Sequence, residues 1–318
     1  MTIIIDVAGG QRAPEAAIQA AARSSLDRDL ELLLVGDEAR ITETLTRLAH
    51  NPARLMVHHG GDTPERSVDA AAARLAADRG AALVTATDPG LLTAAAAAHL
   101  ALARGVLRPA LCAVYPTARR RGRAQDPFVL ILDVGASFEA SAEDLVGFAR
   151  MGAAYAARVS HNPRPRVALL GERIGQRVGP PAAAEAAEVL SRLDDLDFQG
   201  VVNGLEIPRG GADVIVCPGF VGNVVIKMLE GVGEVVAHLI ESLRAQSIRG
   251  RLAIQALSTD MDALASLTDW KSYGGAPLLG YDKPIIAIDP CADADAFERA
   301  IRLAAKTIRT DVIGAITG

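Results

Sequence analysis

The stretch TIIIDVAGGQRAPEAAIQAAAR, Thr2 to Arg23, decides the fold. Four residues of high β propensity, Thr2 to Ile5, run into Asp6, and a Gly-Gly turn follows. The chain then restarts at Ala13-Pro14 with an Ala-rich helical pattern over Pro14–Arg23. A continuous apolar run of this length reads as a strand buried on both faces, and proline just inside the following segment reads as a helix start. The unit is strand, Gly-rich loop, helix.

The same unit recurs along the chain. Strands are expected at Thr2–Asp6, Glu31–Val35, Arg54–His58, Ala81–Ala86, Ala110–Tyr115, Phe128–Val134, Arg166–Leu170, Asp213–Cys217 and Pro284–Asp289. Helical patterns lie between most of them, among them Glu38–Ala49, Pro64–Asp78, Ala142–Ala157 and Ala182–Leu193. This alternation implies an α/β architecture with a doubly wound, mostly parallel sheet. After about Gly219 the rhythm changes. Phe220–Arg249 carries Val224, Met228, Leu229, Val232, Val235, Val236, Leu239, Ile240 and Leu243 as a wide apolar stripe, and a second helical block runs to about Leu267. A helical lobe near 220–268 is expected, serving as a dimer interface, a docking surface or ordinary core.

At 318 residues the chain can bury a large core without staples, here as a single α/β domain of two intertwined lobes. Half of it is apolar, but only 3% is aromatic, so branched aliphatics and alanine do the filling. A net charge of −5 argues against a nucleic-acid surface. Cys112, Cys217 and Cys291 show no paired spacing, and no histidine pair has metal-ligand spacing, so neither a disulfide framework nor a metal is expected. No opening signal peptide and no transmembrane segment are evident, and a cytoplasmic location is expected. The basic run Arg119, Arg120, Arg121 and Arg123 reads as a solvated loop, or as a dock for an acidic partner.

Ligands in open α/β sheets collect beyond the carboxyl ends of the strands. Six loops are expected to converge there, at one rim of a single sheet: Asp6–Gln11, Thr85–Gly90, Asp133–Ser137, Leu170–Gly179, Cys217–Asn223 and Tyr273–Gly280. None carries G-x-G-x-x-G or G-x-x-x-x-G-K-[ST], which disfavours hydride transfer and P-loop chemistry.

The blocks DVAGGQRAP (Asp6–Pro14), LLLVGDE (Leu32–Glu38), RPALCAVYPT (Arg108–Thr117), LILDVGAS (Leu130–Ser137), GADVIVCPGFVGNVVIKMLEG (Gly211–Gly231) and YGGAPLLG (Tyr273–Gly280) occur in an order and spacing that resemble the PlsX family of acyl-carrier-protein:phosphate acyltransferases. The resemblance implies a fold like that of the isocitrate and isopropylmalate dehydrogenases and a homodimer. It also implies acyl carrier protein and phosphate as partners, no cofactor, and a role in fatty acid and phospholipid synthesis. A peripheral membrane contact is compatible with that role. Mapped onto this chain, candidate catalytic residues are Asp6, Asp133, Lys227, Asp289 and Cys291. Candidate substrate-binding residues are Gly9, Gly10, Gln11, Gly135, Glu172, Gly219, Gly222, Asn223, Gly274 and Gly275.

Five polar loops depart from the family pattern. Gln11 stands where an Asp is usual, TATDPGLL replaces S-A-G-N-T-G-A, and ERIGQRVG replaces E-E-x-x-K-G. Pro218 replaces an Asp, and DPCA (Asp289–Ala292) replaces H-G-x-S. Such changes remove cations and place Asp88 and Asp289 in the cleft, which makes phosphate a poorer guest. Pro218 has no N–H to give an oxyanion. Phosphate or another small acceptor therefore stays open, as does a catalytically silent paralogue that binds an acyl carrier protein or a partner enzyme. Cys291 begins the helical pattern CADADAFERAI, where a helix N-terminus lowers a thiol's pKa, and could accept an acyl group, although the aspartates around it disfavour a thiolate and a structural role is the commoner one.

Overall fold

Ile3, Ile4 and Ile5 are buried on both sides of the first strand, as a continuous apolar run in a helix-covered sheet requires. The structure is a computed structural model that describes residues 1–27, 30–118, 128–174, 177–246 and 274–318. The first half of the chain runs β1 (Thr2–Asp6), α1 (Glu15–Ser24), β2 (Glu31–Gly36), α2 (Glu38–Leu45), β3 (Leu55–His59), α3 (Pro64–Ala77), β4 (Ala81–Thr85), α4 (Pro89–His99), β5 (Ala110–Pro116), β6 (Phe128–Leu132) and α5 (Ala142–Val159). It continues as β7 (Arg166–Leu170), β8 (Arg173–Ile174), β9 (Arg177–Val178), α6 (Pro181–Leu190), β10 (Asp197–Val202), α7 (Glu206–Arg209), β11 (Val214–Val216) and α8 (Gly219–Gln246). The last elements are β12 (Ala276–Leu279), β13 (Ile285–Ala287), α9 (Ala294–Arg309) and α10 (Val312–Thr317).

Eleven strands form one sheet in the order β10-β7-β11-β6-β5-β12-β13-β4-β1-β2-β3, and β8 and β9 make a separate hairpin. Helices cover both faces. On one side α1 and α9 bury Ile18, Phe297 and Ile301 against Ile3 and Ile5; on the other α3 buries Val68 and Leu75 against Ile4. Full burial of each such side chain contributes about 1.5–3 kcal/mol. Helix starts are capped as their sequences dictate: Ser141 and Asp144 form a capping box on α5, and the Thr63 hydroxyl accepts from Arg66 N on α3.

The sheet is not a single parallel block. β13, β4, β1, β2 and β3 are mutually parallel, and so are β6, β11, β7 and β10. Between them β12 is antiparallel to both β13 and β5, and β5 is antiparallel to β6. The two parallel blocks therefore run toward each other. The registers place Leu132, ending β6, opposite Cys112, and set Ala287, ending β13, opposite Ala276. The expectation that all loops meet at one rim is corrected: two opposed rims face each other across the β5–β12 seam.

Three further corrections concern single elements. YGGAPLLG is half strand, since Ala276–Leu279 forms β12. DFQGVV forms the edge strand β10, with a register shift between Phe198 and Val201. Most of the apolar stripe of α8 lies outside the core: Val224, Met228, Val232, Val235 and Leu239 are all exposed, while Leu229 packs against the core. The helical block read up to Leu267 and the run Arg119–Arg123 lie outside the described residues. Among the described residues no helix is long and apolar enough to cross a membrane.

Candidate active site

The seam opens into a cavity. The β5–β12 ladder consists of Leu278↔Leu111 and Leu279↔Ala110. Continuing that register would set Ala276 opposite Ala113 and Gly275 opposite Val114, but there the strands part, and all four residues line a cavity of about 220 Å³. Leu111, Ala113, Val134, Ile226, Ala287 and Ile288 supply apolar wall. Its polar lining includes Arg12 from the β1–α1 loop, Thr87 after β4, Asn223, Lys227 and Glu230 from α8, and Asp289 after β13.

Two buried carboxylates hold the loops around it. Asp6 is fully buried and accepts from Ser67 Oγ at 2.5 Å, from Thr85 Oγ1 and Thr87 Oγ1 at 2.7 Å each, and from Ala8 N at 3.2 Å. One side chain thus ties the first loop to α3 and to the loop after β4. Asp133, also fully buried, accepts from Leu111 N, Gly135 N, Ala136 N and Ser137 N at 2.9, 3.0, 2.9 and 2.6 Å. Backbone N–H groups surrounding a carboxylate in this way satisfy its charge without a cation. Both aspartates have their oxygens engaged inside the protein.

The glycines are where backbone meets backbone. A Cβ on Gly9 would lie 2.5 Å from Thr87 N, one on Gly219 2.5 Å from Asp133 Oδ2, and one on Gly222 2.9 Å from the Asp133 carbonyl carbon. Gly219 and Gly222 let the first turn of α8 rest directly on the Asp133 loop, where Gly219 N also donates to Ser137 Oγ at 3.2 Å. Gly275 has φ +108°, and a Cβ there would meet Ala287 O at 2.6 Å, so only glycine opens β12 at the cavity wall. Gln11 N donates to Pro290 O at 2.6 Å, joining the first loop to the loop after β13, while the Gln11 side chain is exposed. Gly10 packs beside Pro290, Gly274 beside Arg299 O, and Gly135 forms part of the Asp133 turn.

Lys227 is the central cation. Its Nζ lies 2.8 Å from Glu230 Oε2 and 3.7 Å from Asp289 Oδ2. Partial burial works to lower its pKa, but the Glu230 hydrogen bond and the charges of Glu230 and Asp289 outweigh it and raise the ammonium above its ordinary value. Glu230 is itself raised by burial, with Lys227 opposing. Asp289 accepts Cys291 N at 2.7 Å, and Cys291 is exposed at the cavity lining. The helix begins only at Ala294, capped by Asp293, so Cys291 sits in the turn before it, not at its N-terminus. Cys112 and Cys217 are buried, and burial pushes both thiols far up.

Other expected members stand apart. Glu172 is exposed between β7 and β8 and does not line the cavity. Asp88, read as a charge in the cleft, instead caps α4 by accepting Gly90 N at 2.8 Å. Glu230, Thr87 and Arg299 escaped the sequence reading. Glu230 had a usable signal, since Asn223, Ile226, Lys227 and Glu230 fall on one helical face.

Comparison with known proteins matches this arrangement from end to end. A family model described as "Fatty acid synthesis protein" matches residues 1–315. A phosphate acyltransferase of Geobacillus thermodenitrificans is 33% identical, over 99% of this chain and 98% of the relative. One from Synechocystis is 31% identical, over 98% and 91%. Among solved structures, a phosphotransacetylase from Streptococcus pyogenes superposes with a TM-score of 0.64 at 15% identity, covering 99% of this chain and 94% of that one. The EutD phosphotransacetylase from Staphylococcus aureus gives 0.62 at 12%, covering 97% and 94%. The chain belongs to the PlsX family of phosphate acyltransferases.

Proposed function

We propose that the protein transfers an acyl group from an acyl-carrier-protein thioester to phosphate in fatty acid and phospholipid metabolism. The observation that carries this reading is the cavity at the seam, whose lining combines apolar wall with the cations Arg12 and Lys227. A phosphate oxygen attacks the thioester carbonyl carbon, the C–O bond forms, and the tetrahedral oxyanion collapses with cleavage of the C–S bond. The products are an acyl phosphate and the carrier thiol, which takes up a proton. Lys227 and Arg12 hold the dianion, and Asn223 orients it at the first turns of α8. Asp289 and Glu230 hold Lys227 in place until phosphate competes for it. Asp6 and Asp133 act as positioning residues through the loops they tie, and the glycines admit backbone to the site.

The same reading assigns the exposed face of α8 to a second copy of the chain. Val221, Val224, Met228, Val232, Val235 and Leu239 recur at spacings of three and four residues, the pattern of a helix seam.

The test is direct. Purified protein, acyl-carrier-protein thioester and phosphate should yield acyl phosphate, trapped as hydroxamate, with dependence on both substrates. Lys227→Met should lower kcat/KM about 10²–10³-fold. Carrier binding without acyl phosphate at any chain length or with any small acceptor would leave the silent-paralogue reading in its place.

A further inference from the structure

We propose that Asp289 accepts the hydroxyl hydrogen of the phosphate, so that the acceptor site takes an oxyanion that carries a proton and rejects one that carries none. The inference rests on the phosphate-acceptor reading above and adds the residue that sets its specificity.

The turn after β13 fixes where the Asp289 carboxylate points. Ala292 N donates to the Asp289 carbonyl at 2.9 Å, and Cys291 N donates to Oδ1 at 2.7 Å, so backbone and side chain are both held. Oδ2 faces Lys227, 3.7 Å from Nζ, an ion pair longer than a hydrogen bond. Among the described residues Oδ2 accepts no hydrogen bond, although the side chain is only 20% exposed. Glu230 differs, because its Oε2 already accepts from Lys227 Nζ at 2.8 Å.

Arg12, Lys227 and Asp289 line the same cleft. Gln11 N donates to Pro290 O at 2.6 Å, which seats the loop bearing Arg12 against the turn bearing Asp289. An anion drawn to Lys227 therefore arrives beside a fixed carboxylate oxygen. One atom can reach both groups: an oxygen about 2.8 Å from Nζ and about 2.6 Å from Oδ2 closes a triangle on the 3.7 Å separation. Such an oxygen must carry hydrogen. A bare oxyanion oxygen there sets lone pair against lone pair, and two like charges at contact distance repel. A P–OH instead donates to Oδ2 in a charge-assisted hydrogen bond while its oxygen accepts from Lys227. Near neutral pH phosphate and arsenate keep a proton, whereas sulfate, of the same tetrahedral shape, keeps none. A site that hydrogen-bonds a substrate hydroxyl rejects an analogue lacking it by about 10⁴-fold when the site is fully buried. Asp289 retains some exposure to water, so about thirtyfold is expected here.

The experiment measures competition by arsenate and by sulfate against phosphate in acyl-phosphate formation, at constant ionic strength, for the parent and Asp289→Asn. In the parent, arsenate should compete about as well as phosphate binds, and the sulfate KI should lie at least about tenfold higher. In Asp289→Asn the Cys291 N–H keeps the asparagine oxygen, so its NH2 replaces Oδ2 and donates to the anion. The ratio of sulfate KI to phosphate KM should then fall at least about tenfold. A variant that only folds poorly lowers the rate and leaves this ratio alone. Sulfate discrimination below about tenfold in the parent, or a ratio that Asp289→Asn does not lower, overturns the proposal. If no acyl phosphate forms, the acyl-transfer reading fails, and calorimetric titration of the full chain with phosphate, arsenate and sulfate still decides the site. Binding of phosphate and arsenate but not sulfate supports the proposal; sulfate bound as tightly as phosphate, or none of the three bound, sinks it.

Discussion

Replacing Asp133 with asparagine keeps the side-chain shape and removes one acceptor. In the native protein Oδ1 accepts from Leu111, Gly135 and Ala136, and Oδ2 accepts from Ser137 at 2.6 Å. An asparagine can offer its one oxygen to the three or to Ser137, never to both, and its NH2 then faces another donor. The less costly orientation keeps the three as neutral hydrogen bonds and abandons Ser137 N. A charge-assisted bond contributes about 1.5–3 kcal/mol and an unpaired buried donor costs about 1–3 kcal/mol, so the variant should lose about 3–5 kcal/mol. At about 2 °C per kcal/mol for a chain of this size, Tm should fall by about 6–10 °C. Differential scanning calorimetry reads it. Activity should fall as well, because Gly219 N is bonded to Ser137 Oγ and the start of α8 rests on this loop. A Tm within about 1 °C of the parent would refute the claim that the charge holds the loop.

Three further outcomes follow from the same structure. Burial raises Glu230 above its ordinary value of 4.5, so the fold favours its protonated form; that contribution is present below the ordinary value and is lost as pH rises through the raised one. The Tm difference between the parent and Glu230→Gln should therefore shift against the parent as pH climbs through that window, and a pH-independent difference would contradict it. Iodoacetamide should add one label per native chain, at exposed Cys291, and three in denaturant, since Cys112 and Cys217 are buried; mass spectrometry counting two or three on the native chain would contradict the burial. Val232→Glu or Leu239→Glu should convert a pair of chains into single chains by analytical ultracentrifugation, and a parent already single at tens of micromolar would remove the α8 interface.

The parallel strands were legible because a strand buried on both faces must be apolar throughout, and Ile3–Ile5, Leu32–Val35 and Val129–Leu132 have no other reading once Gly and Pro bound them. The edge strand β10 was not, because Asp197, Gln199 and Gly200 break its alternation where one side needs no cover. β12 was hidden by Pro277 and by pairing only two residues with each neighbour. The opposed direction of the two blocks leaves no mark on local pattern, since a strand's composition is the same whichever way it runs. At the site, Asp6 and Asp133 could be placed at strand ends, but only the neighbours brought in from α3, β4 and β5 reveal that their oxygens are spoken for. Asp88 shows the converse: a carboxylate after a strand served the next helix and not the cleft.

The position of β13 has a consequence for synthesis. Strands β1 to β4 leave the ribosome early, yet β4 obtains its second neighbour only from Ile285–Ala287, and the Ala-rich face of α1 is covered only by α9. Until about residue 309 has emerged, the first hundred residues keep a raw flank and an uncovered apolar sheet face, the kind of surface on which nascent chains aggregate. Completion of the amino-terminal lobe is therefore deferred until α9 has been translated. A frameshift or nonsense codon between β12 and the middle of α9 should yield not a shortened enzyme but an insoluble one.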